Sequence, residues 1–342
     1  MDSLTHVVLG ACVGDAVLSK KLGKKALVIG AIAQSFPDID GVASLWLSPT
    51  ESLLAHRGIT HSLLFGLLAA LGFAWLTQRL FKNRSLSFNH LLLFFCLQLW
   101  LHDLLATSNE YGTGLLMPFS DQRFSWGLLF VADPFFTLPL LVGAVALLLL
   151  NDAHPNRKKW LVASFALSGL YLIYAAANKT IVDQQVEKAL AAAPRPATTF
   201  MSKPTAFNPW LWYIVAPVDS GYYIGYRSVF DSKDYVTPLT YYPQNRPLLR
   251  AVDDSQTEAV ADLIAFADGY YTLETRSDTL VFNVIRFGRI AGWADQPTRF
   301  TFQYYLNPGF DNTLVVQRGR TKEWRKKVFL SLYKRISGRE EN

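Results

Sequence analysis

The chain has 342 residues, 51% of them hydrophobic and 18% charged, with a net charge of +6 and a mean hydropathy of +0.17. That balance excludes a highly charged or disordered chain and points to a membrane domain carrying a soluble part. Cys12 and Cys96 both fall in apolar runs, which argues against a disulfide framework; the basic residues form short clusters beside apolar runs, a topology signal and not a nucleic-acid face, so no nucleic acid is expected as a partner.

The first segment, "MDSLTHVVLGACVGDAVLSKK", places its lysines after its apolar core, so it reads as mature protein and not as a cleavable signal. Residues 4–18 and 26–36 form two short apolar runs. They are too short to cross about 30 Å of hydrocarbon comfortably and are predicted to be thin-spanning, re-entrant or core-packed helices. Four longer runs, residues 62–81, 90–107, 128–150 and 160–178, suit spanning helices.

Basic clusters orient this set. Lys20, Lys21, Lys24 and Lys25 separate the two short runs, Arg79, Lys82 and Arg84 follow the first long run, and Arg157, Lys158 and Lys159 separate the last two. If the helices alternate, all three clusters share one side, which the positive-inside bias makes cytoplasmic. His6, the 36–61 connection, the end of the helix bearing His102 and the 110–126 loop then meet on the extracytoplasmic side. The expectation is a multi-pass protein of a bacterial inner membrane.

The character changes after residue 180. "EKALAAAPRPATTF" reads as a helix end and a linker, followed by aromatic, β-prone stretches at 211–215, 222–229, 270–276, 280–288 and 299–306. Asp219-Ser220-Gly221 suits a turn between the first two, and residues 255–267 have helical spacing. The predicted architecture is mainly α: a polytopic helical membrane domain (1–180), a linker (181–205) and a small α+β extramembrane domain (206–342), placed outside the cytoplasm. The basic, amphipathic tail at 322–339 suits a membrane surface.

Several polar groups are out of place in this apolar setting. "SFPDIDG" sets Asp38 and Asp40 at a helix end, as turn or capping residues or as a pair of oxygen ligands. "HRGITHS" supplies His56 and His61, whose neutral imidazoles are the usual nitrogen ligands of zinc. Between them lie Arg57, suited to gripping a phosphate, and Gly58, which permits close backbone approach. His102 and Asp103 lie deep in an apolar helix, where ionisable groups are costly and mark a functional site or a buried pair; His102 reads as a ligand, and Asp103 as a ligand or a partner of one. Arg123 suits a phosphate or an acidic headgroup, and Asp133, before Pro134, suits a helix cap. His6 lies on the same predicted side, whereas His90 and His154 flank helices and read as interface residues.

Taken together, "LTHVVLG", "PDID", "HRGITHS", "YGTGLLMPFSDQRFSW" and "DPFF", covering roughly residues 1–140, resemble the YdjM-like family of membrane-bound, predicted metal-dependent hydrolases, whose members include LexA-regulated proteins. The resemblance implies hydrolysis at a His/Asp metal centre. One departure stands out: members of that family typically carry an aspartate four residues after the histidine of this helix, where this chain has Ala106 and instead places an acid at Asp103. Either Asp103 from another angle, Glu110 or water then completes the site, or the activity is altered.

The expected centre is a divalent metal, zinc foremost, held by His6, Asp38, Asp40, His56, His61 and His102. Arg57 and Arg123 would steady an anionic oxygen, Asp103 would take part in the chemistry, and the substrate would be an anionic lipid-like or envelope phosphoester met among membrane lipids. Two competitors share these residues: an ion- or proton-coupled transporter, and an envelope scaffold with a closed structural metal site.

Overall fold

The computed structural model describes residues 1–294, 299–306 and 326–338. Of the tail expected at 322–339, residues 322–325 and 339 lie outside the described residues. The chain forms two units: Met1–Leu45, Ala55–Ala176 and Ala206–Asn208 build the first, while Trp46–Leu54, Ala177–Thr205 and the described residues from Pro209 onward build the second.

The first unit is helical. Its elements are α1 (Ser3–Leu22), α2 (Lys25–Ser35) continued by a 3-10 helix (Phe36–Leu45), a 3-10 turn (Ile59–His61), α4 (Leu63–Leu80), α5 (Phe88–Ala106), α6 (Pro134–Leu149) and the start of α7 (Arg157–Ala191); α3 (Pro49–Ala55) lies in the intervening connection. Four stretches are long and apolar enough to span a membrane: Lys25–Leu45, Leu63–Leu80, Phe88–Ala106 and Arg157–Ala191. The chain thus has the membrane architecture expected, with two adjustments. Pro37 ends α2, but the backbone continues as a 3-10 helix to Leu45, so the run expected to be short is the first full-length span. The run expected to fill 128–150 becomes helical only at Pro134, because the Asp133 carboxylate caps the first turn, accepting from the backbone N–H of Phe135 (3.0 Å) and Phe136 (3.3 Å).

α5 is the most enclosed span, its Leu91, Phe94, Phe95 and Leu99 packing with Leu18 of α1 and Leu140 of α6. The outward faces of α4, α6 and α7 expose Leu68, Trp75, Leu138, Leu149 and Ile173, as surfaces meeting lipid do. Helices in lipid gain little from apolar burial against each other and rely on close backbone packing. α1 and α2 achieve it through glycine. A Cβ on Gly14 would lie 2.1 Å from the Ala26 carbonyl oxygen, and one on Gly10 would lie 2.4 Å from that of Gly30. Gly14→Val is therefore expected to cost about 1–3 kcal/mol or more by overpacking and to lower the thermal midpoint in detergent. Gly72→Ala on α4, where an added Cβ meets nothing within 4 Å, should leave that midpoint unchanged.

The bundle has two chemically distinct ends. At one, Lys21 donates to the Ser85 carbonyl (2.6 Å) and Lys24 to the Leu148 carbonyl (2.6 Å). Arg157 pairs there with the buried Asp15 and also donates to the Leu147 (2.6 Å) and Leu150 (3.0 Å) carbonyls. At the other end the start of α1 meets the start of α6, Thr5 Oγ1 lying 2.6 Å from Thr137 Oγ1, and here His6, Asp38, His61 and His102 gather.

The second unit is layered. Residues 192–200 join α7 to a four-stranded antiparallel sheet of β1 (Met201–Pro204), β2 (Leu211–Val218), β3 (Gly221–Ser228) and β4 (Leu239–Pro243), in that order. Asp219 and Ser220 form the two-residue turn joining β2 and β3. Alternation along β2 decides the packing: Trp212, Ile214 and Ala216 meet Val182, Val186 and Leu190 of α7, while Tyr213 and Val215 face Ile285 and Phe300. Those two belong to an antiparallel sheet of β5 (Tyr271–Arg276), β6 (Thr279–Arg289) and β7 (Phe300–Leu306). α8 (Thr257–Ala267) stacks Phe266 on Phe287, with centroids 5.3 Å apart, and α9 (Lys326–Ile336) closes the described chain.

Candidate metal centre

The centre is built where four chain segments meet at one end of the first unit. α1 brings His6, the 3-10 extension of α2 brings Asp38 and Asp40, the turn before α4 brings His61, and the last turn of α5 brings His102 and Asp103. His6, His61, His102 and Asp103 are fully buried.

Hydrogen bonding fixes the tautomers. His102 Nδ1 lies 2.6 Å from the Gln34 carbonyl oxygen, which can only accept, so Nδ1 carries the proton. His61 Nδ1 faces Asp40 Oδ2 at 3.3 Å and Thr60 Oγ1 at 3.1 Å, and donates likewise. Each neutral ring is left with a lone pair on Nε2. These two Nε2 atoms lie 3.0 Å apart, with Asp38 Oδ1 at 3.4 Å from that of His61 and 3.7 Å from that of His102. Three electron-rich atoms converging here repel one another unless a proton or a metal ion lies among them. Ligand atoms around a tetrahedral zinc with bonds near 2.0–2.1 Å are about 3.3 Å apart, so this spacing fits a metal.

Orphaned polar atoms point the same way. The His6 ring stacks on His102 with centroids 3.8 Å apart, and neither of its nitrogens has a hydrogen-bond partner among the described residues. His6, Asp38 and His102 each offer a ligand atom, all three within 4.8 Å of one another. Both carboxylate oxygens of Asp103 are also buried without a hydrogen-bond partner among the described residues. They are close enough for their charge to act on His61. Burial works against protonation of His61, but Asp38 and Asp40 outweigh it and raise its pKa above the ordinary imidazole value. A proton on His61 is thus favoured at this place.

Asp40 serves differently. Oδ1 meets His56 Nδ1 at 3.1 Å, and Oδ2 accepts from the Arg57 backbone N–H (2.7 Å) and Thr60 Oγ1 (3.1 Å) besides facing His61. Its oxygens are thereby engaged in holding the His56–His61 segment. The half-exposed His56 ring lies edge-on to Tyr111, with centroids 5.0 Å apart. Arg57 adopts a left-handed backbone (φ 57°) and turns its guanidinium inward. There it donates to the Ala106 carbonyl (3.2 Å) and Asn109 Oδ1 (2.8 Å) and lies over Tyr111. Arg123 donates to the His56 carbonyl at 3.1 Å. His90 is exposed and His154 partly so, both outside the centre.

Sequence reasoning did not single out Gln34, Asn109 or Tyr111. Gln34, a polar residue in an apolar run just before Pro37, was a detectable signal. Asn109 and Tyr111 act through a loop fold that no local pattern announces.

The YdjM inner membrane protein family matches residues 1–182, a stretch that contains every residue of the centre. The chain belongs to that family. It is a membrane protein, as its apolar spans require. It is similar to the inner membrane protein YbcI of Escherichia coli (strain K12), 32% identical over 133 residues, which cover 38% of this chain and 75% of that protein. It is also similar to the uncharacterized protein YfhP of Bacillus subtilis (strain 168), 32% identical over 150 residues, 42% of this chain and 45% of that protein; the chain thus spans less than half of YfhP. No solved structure matches.

Proposed function

We propose that the chain is a membrane-bound, metal-dependent hydrolase acting on a phosphoester of an amphiphilic substrate. The observation that carries this reading is the convergence of His61 Nε2, His102 Nε2 and Asp38 Oδ1, at 3.0 Å between the two nitrogens and 3.4 and 3.7 Å from each to the carboxylate. With His6, these residues would hold the ion, and zinc suits their imidazole and carboxylate chemistry. When bound, zinc supplies Lewis acidity that polarises a phosphoryl oxygen and acidifies water.

The protein groups around it have distinct tasks. Asp40 and the Gln34 carbonyl orient the two imidazoles. Asp103, its oxygens without hydrogen-bond partners, accepts the proton released by the attacking water. Arg57 brings a buried positive charge that acts on Asp38 and steadies the anionic substrate, and Arg123 holds the His56 backbone in place.

Apolar side chains near the centre suit a lipid-like substrate. Ile39, between the two aspartates, and Ile59, beside His61, are both exposed. So are Phe119 and Trp126 of a loop tied to the same place by Gly114 N–H to the Arg57 carbonyl (2.9 Å) and Leu63 N–H to the Leu115 carbonyl (3.0 Å). Lys21, Lys24 and Arg157 lie at the opposite end of the bundle, and the positive-inside bias supports a centre on the extracytoplasmic face of the inner membrane.

A proton or ion path has less support. Between His6 and Asp15, α1 carries only "VVLGACVG", and its glycines there pack against α2.

The test is a phosphoester panel presented to purified protein in lipid. Release from an amphiphilic phosphoester that stops with a chelator, returns with zinc and is lost in Asp103→Asn is the expected result. Chelator-insensitive turnover, or none across the panel with metal bound, contradicts hydrolysis.

A further inference from the structure

α9 is apolar on two sides, and among the described residues one of them packs into the fold. Val328, Leu332 and Ile336 turn inward onto Leu211, Ala291 and Trp293, and Trp293 Nε1 donates to Ser331 Oγ at 3.2 Å. The buried Arg335 clamps the helix, donating to both Asp231 oxygens (2.7 and 2.9 Å) and to the Tyr226 carbonyl (2.8 Å). The opposite face presents Leu330 (59% exposed) and Tyr333 (74% exposed).

The loop after β3 extends this surface. It is tied to the end of α9 by the Asp231–Arg335 pair and by Ser228 Oγ donating to the Ile336 carbonyl (2.6 Å). It exposes Phe230 and Val236. Lys327 and Lys334 of α9 and Lys233 of the loop are exposed as well, and α9 carries no acidic residue. A rigidly held helix with an apolar, aromatic outer face and a lysine flank is the pattern of elements that lie in a bilayer interface. The lysines favour an anionic headgroup layer, whereas protein–protein interfaces are depleted in lysine.

We propose that the outer face of α9, with Phe230 and Val236, is a docking surface for an anionic lipid bilayer, a second membrane attachment beyond the spanning helices. It is independent of the chemistry assigned to the metal centre.

The test uses the full chain with a nitroxide on Leu330→Cys or, separately, on Phe230→Cys; Cys12 and Cys96 are buried. The protein is reconstituted into phosphatidylcholine bilayers with or without phosphatidylglycerol. With phosphatidylglycerol, both labels should become accessible to oxygen and lose accessibility to an aqueous nickel chelate several-fold. Lys327→Glu with Lys334→Glu should reverse that change. Equal exposure to the nickel reagent in both lipids overturns the proposal. So does protection from both reagents, which would indicate a second copy of the chain or another protein on this face.

Discussion

Replacing His61 with alanine should leave the helical bundle folded and strip it of its metal. Among the described residues, the His61 ring makes polar contacts with groups of the centre, namely His102, Asp38, Asp40 and Thr60. It sits on a three-residue 3-10 turn and not within a spanning helix. Its loss leaves His102 Nε2 and Asp38 Oδ1 3.7 Å apart with an incomplete ligand set. Outer residues that only orient ligands are worth about 10–100-fold in metal affinity. Asp40→Asn should fall in that range, and His61→Ala should exceed it. Competitive zinc titration of the two purified variants gives both numbers, with circular dichroism confirming the fold. Zinc affinity in His61→Ala within ten-fold of the unaltered protein would remove the ligand from the account.

The largest stability effect is expected at the other end of the bundle. Asp15 and Arg157 are buried at 3% and 7% exposure, and Arg157 also satisfies the last carbonyls of α6. Removing one member of a buried pair leaves a charge without its partner and costs about 3–5 kcal/mol. Asp15→Ala should therefore unfold at a markedly lower temperature in detergent, with the centre's residues untouched. Replacing both members, Asp15→Leu with Arg157→Met, should recover much of the loss, because no buried charge remains. Recovery stays partial, since the Leu147 and Leu150 carbonyls lose their donor. An unchanged midpoint in Asp15→Ala would mean that the pair does not hold α1 to α7.

What was legible in the sequence follows the strength of each physical signal. Spanning helices announce themselves because lipid demands about 20 apolar residues in a row, and 62–81 and 90–107 correspond closely to α4 and α5. The start of α6 was misjudged because residues 128–133 are as apolar as a helix; the Asp133 cap decides the boundary. In the second unit the aromatic, β-branched strands were visible, but β1 (Met201–Pro204) and β4 (Leu239–Pro243) were not. Both are short and end in proline, and their neighbours β2 and β3 hold them in place.

Charge in an apolar setting singled out His61, His102 and Asp38 as candidates and alternating topology gathered them on one side; the structure brings their side chains together. Residue types alone do not separate Asp38, which faces both Nε2 atoms, from Asp40, two residues away, which orients one of the rings. Only the backbone turn at Arg57 makes that distinction. Ala106, where the resemblance leads one to expect an acid, lends its carbonyl to Arg57. Asp103, next to His102, is buried without a hydrogen-bond partner among the described residues.

The central claim is that His6, Asp38, His61 and His102 hold a divalent ion. X-ray absorption of the zinc-loaded protein tests it most directly. One zinc per chain in a nitrogen and oxygen shell near 2.0 Å, with the outer-ring scattering of at least two imidazoles that diminishes in His102→Ala, is the expected result. A sulfur shell, an all-oxygen shell, or failure to retain stoichiometric zinc would contradict it.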